Sequence, residues 1–310
     1  MITSYLTQST SPYLSKYNTG LGNALFQIFT AYGFSKKYNH TFNNYFLIEL
    51  LIKLKQFGLD HGETIYRNLK IFHPFDNTKT NALKERPNYY AICDEQLIHQ
   101  VNQHTDETTI VLVGYLQSHC YFDEYYKDIV QMITPDDSSL RKIREKYEHL
   151  FDVDVTNISL HTRFNWGSGL KYNVQYYYDS IAHIINNVST NKKVVLNVFS
   201  DNINMAKHTL VSLNMKTVFF EGNVDYIDMW CMSLCNHHVL SNSTLSWWGA
   251  YLNASVDKLV VYPKDILRLV GGTVHKTAQL YERMTQHYMD GWYAINTPNV
   301  VYHDKSVDEV

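Results

Sequence analysis

From Asn157 to Tyr262 the chain repeats one pattern, and that pattern restricts the fold more than any other feature. A short β-branched or aliphatic run ends at a polar residue, and a helix-length segment follows. The runs are Asn157-Ile-Ser-Leu-His161, Lys193-Val-Val-Leu-Asn-Val-Phe199, Thr217-Val-Phe-Phe220, His238-Val-Leu240 and Lys258-Leu-Val-Val-Tyr262. Helices are predicted over Tyr176 to Asn187, from Ile203, over Asp225 to Cys235 and over Ser243 to Leu252. Strands alternating with helices make a parallel sheet with helices on both faces, because a parallel neighbour needs a long crossover. Ligands of such sheets sit at the carboxyl ends of the strands. That rule gathers His161 to Gly169, Ser200-Asp201 and Ser241 to Ser246 along one edge.

The first half carries fewer signals. A glycine turn, Gly20-Leu-Gly-Asn23, leads into an apolar run from Ala24 to Tyr32, read as a helix with Leu25, Ile28, Phe29 and Tyr32 on one face. Ile110-Val-Leu-Val-Gly114 reads as a buried strand. Ser138 to His149 is charged and amphipathic, a surface helix leading out of the first half. With 310 residues the chain accommodates two ordinary domains. The division expected is 1–154 and 155–310, with the C-terminal tail packing back on the first.

Charge and apolar content exclude several classes. A net charge of -3 with no basic cluster gives no general attraction to nucleic acid or anionic lipid. Met1 to Ser15 is polar, without the features of a signal peptide. The longest apolar stretch, Tyr45 to Leu54, is too short to span a bilayer and contains Glu49 and Lys53. Four cysteines scattered over the chain give no disulfide framework, so a reducing, cytoplasmic location is expected.

The strand edge holds the residues with chemical potential, each with two readings. Arg163 lies two positions past His161, in a turn with Trp166 and Gly167. Its guanidinium either grips a diphosphate with parallel hydrogen bonds or forms an ordinary ion pair in a loop. Ser241-Asn-Ser-Thr-Leu-Ser-Trp-Trp-Gly249 puts hydroxyls at a helix start, where unpaired N–H groups and about half a positive charge suit a phosphate. The plainer reading is a cap, with Ser243 or Thr244 serving its own helix. Asp201 either meets a ribose or base edge or caps the helix that follows. Cys231, Cys235 and His237 come nearest to a zinc spacing. Trp230, Met232 and Leu234 flank them, which favours buried core cysteines. A His-Glu-x-x-His helix and an Asp-x-Asp strand end are both missing from the sequence. Neither a catalytic metal nor a cofactor is expected.

Several segments, in order, carry a family resemblance. They are Gly20-Leu-Gly-Asn-Ala-Leu-Phe-Gln27, Gly114-Tyr-Leu-Gln-Ser118, His161-Thr-Arg163, Phe199-Ser-Asp201, Met232-Ser-Leu-Cys-Asn-His-His238 and Asn242-Ser-Thr-Leu-Ser-Trp-Trp-Gly-Ala-Tyr-Leu-Asn253. Together they resemble the inverting α-1,2-fucosyltransferases of glycosyltransferase family 11, from about residue 18 to the Trp292 region. The resemblance implies a GT-B-like α/β fold of two facing Rossmann-type domains with mainly parallel sheets. The N-terminal domain would be the acceptor side, and the C-terminal one would hold GDP-fucose without a divalent ion. It implies that Arg163 binds the β-phosphate beside His161, that Ser243 and Thr244, with Asn242 and Ser246 around them, help bind phosphate, and that Asp201 lies near the nucleoside. Gly22 and Asn23 would face the transferred sugar, and the acceptor would be an oligosaccharide. Departures are visible: where the family has His-x-Arg-Arg-x-Asp, this chain has His161-Thr-Arg-Phe-Asn-Trp166, and His119 replaces a common glutamate. Candidates for the base that deprotonates the acceptor are His119 and Asp179. Two alternatives stand beside fucosyl transfer: another GDP-sugar donor, or an inactive carbohydrate-binding relative.

Overall fold

The computed structural model describes residues 1–5, 20–47, 67–71, 73, 79–85, 93–104, 108–164, 170–171, 174–188, 191–264, 269–270, 273–274, 287–296 and 301–302. Trp166 and Gly167 lie outside the described residues, as does most of the stretch beyond Leu47. The chain divides into two compact units, Met1–Asp136 with Glu282–Met289, and Asp137–Tyr281 with Asp290–Val310.

In the first unit, β1 (Ile2–Tyr5), β3 (Thr109–Val113) and β2 (Thr80–Lys84) form a parallel sheet in the order β1-β3-β2. Central β3 carries the predicted apolar run, with Ile110 and Leu112 fully buried. α1 (Leu21–Lys37) is buried along Leu21 to Ser35 except at Asn23, as a helix that is apolar all round must be. It contains the predicted face, extended by a turn at each end. Gly33 allows a close approach: a Cβ there would stand 2.1 Å from the Tyr121 carbonyl oxygen. α2 (Glu95–Asn102) starts at Asp94, whose carboxylate accepts the N–H groups of Gln96 and Leu97. α3 (Tyr126–Ile133) follows in this unit.

The second unit begins with α4 (Asp137–Lys146), then β4 (Val155–Thr162), the short β5 (Leu170–Lys171), α5 (Val174–Asn187), β6 (Lys193–Ser200) and α6 (Ile203–Thr209). β7 (Thr217–Phe219), α7 (Asp225–Ser233), β8 (His237–Val239), α8 (Thr244–Leu252) and β9 (Val260–Pro263) follow. Later strands are β10 (Leu269–Val270), β11 (Thr273–Val274), β12 (Tyr293–Ile295) and β13 (Val301–Tyr302). The main sheet runs β12-β9-β8-β4-β6-β7 with every pairing parallel. Its sequence-predicted strands are all present, and β12 adds an edge that no β-branched run announced.

Both faces are covered. On one, Ile158, Leu160, Leu196, Val198, Val239 and Val261 pack against Tyr176, Tyr177, Ile181 and Ile184 of α5. On the other, Phe199, Phe220, Cys231, Met232 and Cys235 pack with Ile143, Tyr147 and Leu150. This second cluster explains why α4, placed by the sequence in a 1–154 domain, belongs with the second unit: its apolar residue Ile143 is buried there. His287 moves the other way, its Nδ1 lying 2.7 Å from the Gln117 carbonyl oxygen of the first unit.

The cysteine expectation is corrected. Cys93 and Cys120 form a disulfide across 27 positions of sequence, Cα to Cα 6.1 Å. The pairing is invisible in the spacing because α2 and β3 intervene before the chain returns. Cys231 and Cys235 are free and buried, and burial pushes both thiols up. The nearby His237 uses Nδ1 to accept the Leu259 N–H, so this spacing belongs to the core. Among the described residues no helix is long and apolar enough to cross a membrane.

Candidate active site

The carboxyl edge of the main sheet collects the residues expected there. β4 delivers His161 inward and Arg163 just past its end. His161 is buried, its Nδ1 2.6 Å from Ser241 Oγ at the end of neighbouring β8. Burial, then the charge of Arg163, lowers its imidazole to about 3, so it is neutral at working pH. The Arg163 Nε lies 3.5 Å from Asp201 Oδ2, and the Arg163 side chain is 38% exposed. Asp201 Oδ1 also accepts the Phe164 N–H at 2.8 Å.

Asp201 is not a cap. That task falls to Asn202, whose Oδ1 accepts the Met205 N–H at 3.1 Å. Asp201 instead holds the strand-end loop and orients Arg163. Phe164, at the place of the family's second arginine, packs against the α5-side core. The arginine lost there is replaced by an apolar anchor for the loop.

The start of α8 answers the cap question differently from expectation. Ser243 is the cap residue, yet its side chain makes no cap hydrogen bond. Ser246 is buried and turns its hydroxyl back to the Ser243 carbonyl at 2.9 Å. Asn242, Ser243 and Thr244 are half-buried at the tip. The helix therefore keeps its first-turn dipole uncompensated by its own cap side chain, which favours an anion. Trp247 and Trp248 are buried and pack with Tyr251, so they are core residues.

One feature was missed by sequence reasoning. A cavity of about 320 Å³ opens at the ends of β6 and β7, lined by Ser200, Asn202, Phe220, Glu221, Asn223 and Asp228 among others. Burial pushes the Asp228 carboxyl up to about 7; the hydrogen bond from Asn223 and the charge of Lys146 oppose this, while Asp225 adds to it. Asp228 sits inside a predicted helix with no strand-end signal. A charged residue directly before the mostly apolar run Met229 to Leu234 was the clue available. Cavity, Arg163 and α8 tip stand at the ends of β7/β6, β4 and β8, consecutive in the sheet. At about 4.8 Å per strand, they span roughly 14 Å.

The first-unit candidates form their own strapped loop after β3. Asn23 Oδ1 accepts from Gln117 Nε2 at 2.8 Å, Gln27 Nε2 donates to the Gly114 carbonyl at 2.7 Å, and Glu85 accepts the N–H groups of Tyr115 and Leu116. Leu116 has φ 54°, a left-handed conformation held by these straps. Gly22 is buried in the first turn of α1. His119 opens the short turn His119–Tyr121, its Nδ1 4.0 Å from Asp123 Oδ2. Asp179, in the second unit, lies on the exposed face of α5, where Gln175 Nε2 donates to it at 2.8 Å. Among the described residues no three His, Cys, Asp or Glu side chains gather as a metal-binding group.

A parallel α/β sheet that presents an arginine, a helix tip and a cavity on its carboxyl edge has the features that suit an anionic ligand. Residues 16–265 match the family described as glycosyl transferase family 11, and the chain belongs to that family. It is similar to an alpha-1,2-colitosyltransferase of Escherichia coli, 28% identical over 258 residues, covering 75% of this chain and 84% of that one. It also matches the Escherichia coli O-antigen biosynthesis glycosyltransferase WbnK, 37% identical over 90 residues, covering 28% of this chain and 29% of that one. Among solved structures, fucosyltransferase NodZ from Bradyrhizobium superposes with a TM-score of 0.48 at 14% identity, covering 80% of this chain and 91% of that one. FUT1 of Arabidopsis thaliana in complex with GDP gives 0.45 at 10% identity, covering 88% and 72%.

Proposed function

We propose that this chain is an inverting glycosyltransferase that moves fucose from GDP-fucose to a hydroxyl of an oligosaccharide, forming an α-1,2 linkage to galactose. The observation that carries the reading is the line of cavity, Arg163 and α8 tip along one sheet edge. A nucleoside diphosphate has the matching sequence of parts: base, ribose, two phosphates. The base enters the cavity, where Asp228 accepts from ring and exocyclic N–H donors, the edge that guanine presents. The ribose passes Ser200 to Asn202. The diphosphate meets the Arg163 fork and the amide groups at Ser243 to Leu245.

The chemistry follows from charge. Cleaving the sugar–phosphate bond leaves a diphosphate whose added negative charge develops as the ring becomes oxocarbenium-like. Arg163 and the helix tip, fixed before the reaction, stabilise that charge in place of a metal ion. Asp201 keeps the guanidinium aimed, and neutral His161 braces Ser241 at the foot of the tip without competing for the phosphate. Attack by the acceptor hydroxyl from the opposite face inverts the anomeric carbon, and its proton passes to a base. His119, beside Asp123, and Asp179 are the two candidates for that base.

A specific observation supports a second donor. The relative named as an alpha-1,2-colitosyltransferase aligns over most of this chain, and colitose is fucose lacking one hydroxyl, so both sugars fit the same diphosphate machinery. The test is a donor panel with a β-galactoside acceptor, product linkage read by NMR, with and without a chelator. Transfer from GDP-fucose that survives EDTA and drops roughly a hundred- to a thousandfold in Arg163→Ala supports the proposal. Transfer only from GDP-colitose moves the assignment to the second donor, and turnover only from a uridine nucleotide sugar refutes both.

A further inference from the structure

The cavity has a second layer, and its hydrogen bonds fix one side chain completely. Asn223 Nδ2 donates to Asp228 Oδ1 at 2.8 Å and to Tyr147 Oη at 2.7 Å. Lys146 Nζ donates to Asn223 Oδ1 at 2.8 Å and to the Glu221 carbonyl at 3.1 Å. A lysine ammonium has donors only, so Oδ1 must face it, and both amide hydrogens then face Tyr147 and Asp228. The amide has no alternative orientation. Tyr147 is itself held by stacking on Phe220, ring centroids 4.1 Å apart.

We infer that Asn223, locked by Lys146 and Tyr147, is a positioning residue for base selection, turning the Asp228 carboxylate so that Oδ2 is presented to the ligand as an acceptor. The inference rests on the proposed guanine nucleotide site. Engaging Oδ1 from the rear leaves the other oxygen for the base edge and stops the carboxyl from rotating. The same amide and the Lys146 charge favour the ionised form, against burial and the Asp225 charge. Lys207 is spent on Glu221, whose carbonyl Lys146 also holds. Lys146 is exposed and sits at the end of α4, so replacing it leaves the core untouched. A carboxylate held as an acceptor discriminates by the number of N–H donors it meets. Guanine offers a ring N–H and an exocyclic amino group; hypoxanthine offers only the ring N–H.

The experiment is calorimetric titration of the full chain with GDP and with IDP from pH 5.5 to 8.5, for the native protein, Asn223→Ala and Lys146→Met. Native protein is expected to prefer GDP. Asn223→Ala is expected to weaken GDP binding by roughly tenfold to a hundredfold and IDP binding less, so that the GDP/IDP ratio contracts. In both variants the pH below which carboxylate-dependent GDP binding is lost moves upward. Lys146→Met serves as the variant that keeps its fold if the other does not. A merely structural role would weaken GDP and IDP alike and leave the pH midpoint in place, and that outcome overturns the inference. If native protein prefers GDP while both variants keep its ratio and midpoint, the inference falls and the donor reading stands. If native protein binds neither GDP nor IDP, both fall.

Discussion

Replacing Gly249 by alanine sets two effects of opposite sign against each other. In a helix interior alanine is favoured over glycine by about 1 kcal/mol, so propensity alone predicts a more stable protein. The structure predicts the reverse. A Cβ at Gly249 would stand 2.6 Å from the Met232 Cβ, and 3.4 Å from both the Met232 sulfur and the Met229 carbonyl oxygen. Carbon atoms pack best about 3.5–4.0 Å apart, and a Cβ is fixed to its backbone, so α7 and α8 must separate by about 1 Å. Overpacking of this kind costs about 1–3 kcal/mol. Against the propensity gain, the net is a loss of up to about 2 kcal/mol, or up to roughly 8 °C in the unfolding temperature of a unit this size. The separation also moves Asp228, on α7, away from the phosphate tip of α8, so GDP affinity falls with stability. Thermal unfolding followed by circular dichroism, with and without GDP, measures both. A Tm raised by alanine with unchanged GDP protection would refute the packing argument.

Three further outcomes follow. The folded Asp228 carboxyl titrates at about 7, above its ordinary 3.8, so the proton it holds stabilises the fold below pH 4 and that contribution is lost as pH rises through 7. Asp228→Asn is therefore expected to raise Tm at pH 8, by up to a few kcal/mol of stability, while weakening GDP binding; a lower Tm would count against the buried-carboxylate reading. The Cys93–Cys120 disulfide closes a loop of 27 positions, and such closure stabilises by about 3.5 kcal/mol. Dithiothreitol is expected to lower the unfolding temperature of the first unit, and thiol titration of the unreduced, denatured chain should find the two free cysteines, Cys231 and Cys235, not four. Burial lowers the imidazoles of His161 to about 3 and of His287 to about 4, and that of His238 well below 6.5. Stability they contribute is lost as pH falls from 6.5 toward those values; three such groups outweigh the single Asp228, so Tm should drop between pH 7 and 5, and a flat profile would contradict their burial.

The parallel sheet of the second unit was legible because its strands are buried on both faces and therefore read as continuous apolar runs. Strands with a mixed composition were not: Thr80–Lys84 alternates with exposed positions, and Ile2–Tyr5 looks like an ordinary terminus until Ile110 pairs with it. Arg163, Asp201 and the α8 tip were legible as neighbours on one sheet edge because strand ends in such sheets line up there. The roles within the edge were not fully readable. Asp201 and Asn202 are neighbours of similar chemistry, and which one caps depends on a loop returning through Phe164. Asp228 escaped because a helical residue becomes a cavity wall only when a loop, here Phe220 to Asn223, folds over it. The straps on the Gly114 to Ser118 loop come from Gln27, Glu85 and His287, which the sequence scatters over most of the chain.

A crystal structure of the full chain with GDP, grown in the presence of a chelator, tests the central claim most directly. The account predicts diphosphate oxygens within hydrogen-bonding distance, about 3 Å, of the Arg163 guanidinium and of the amide groups opening α8, with the guanine edge against Asp228. A diphosphate lodged away from Arg163 and the helix tip, or a base outside the cavity at β6 and β7, would contradict it.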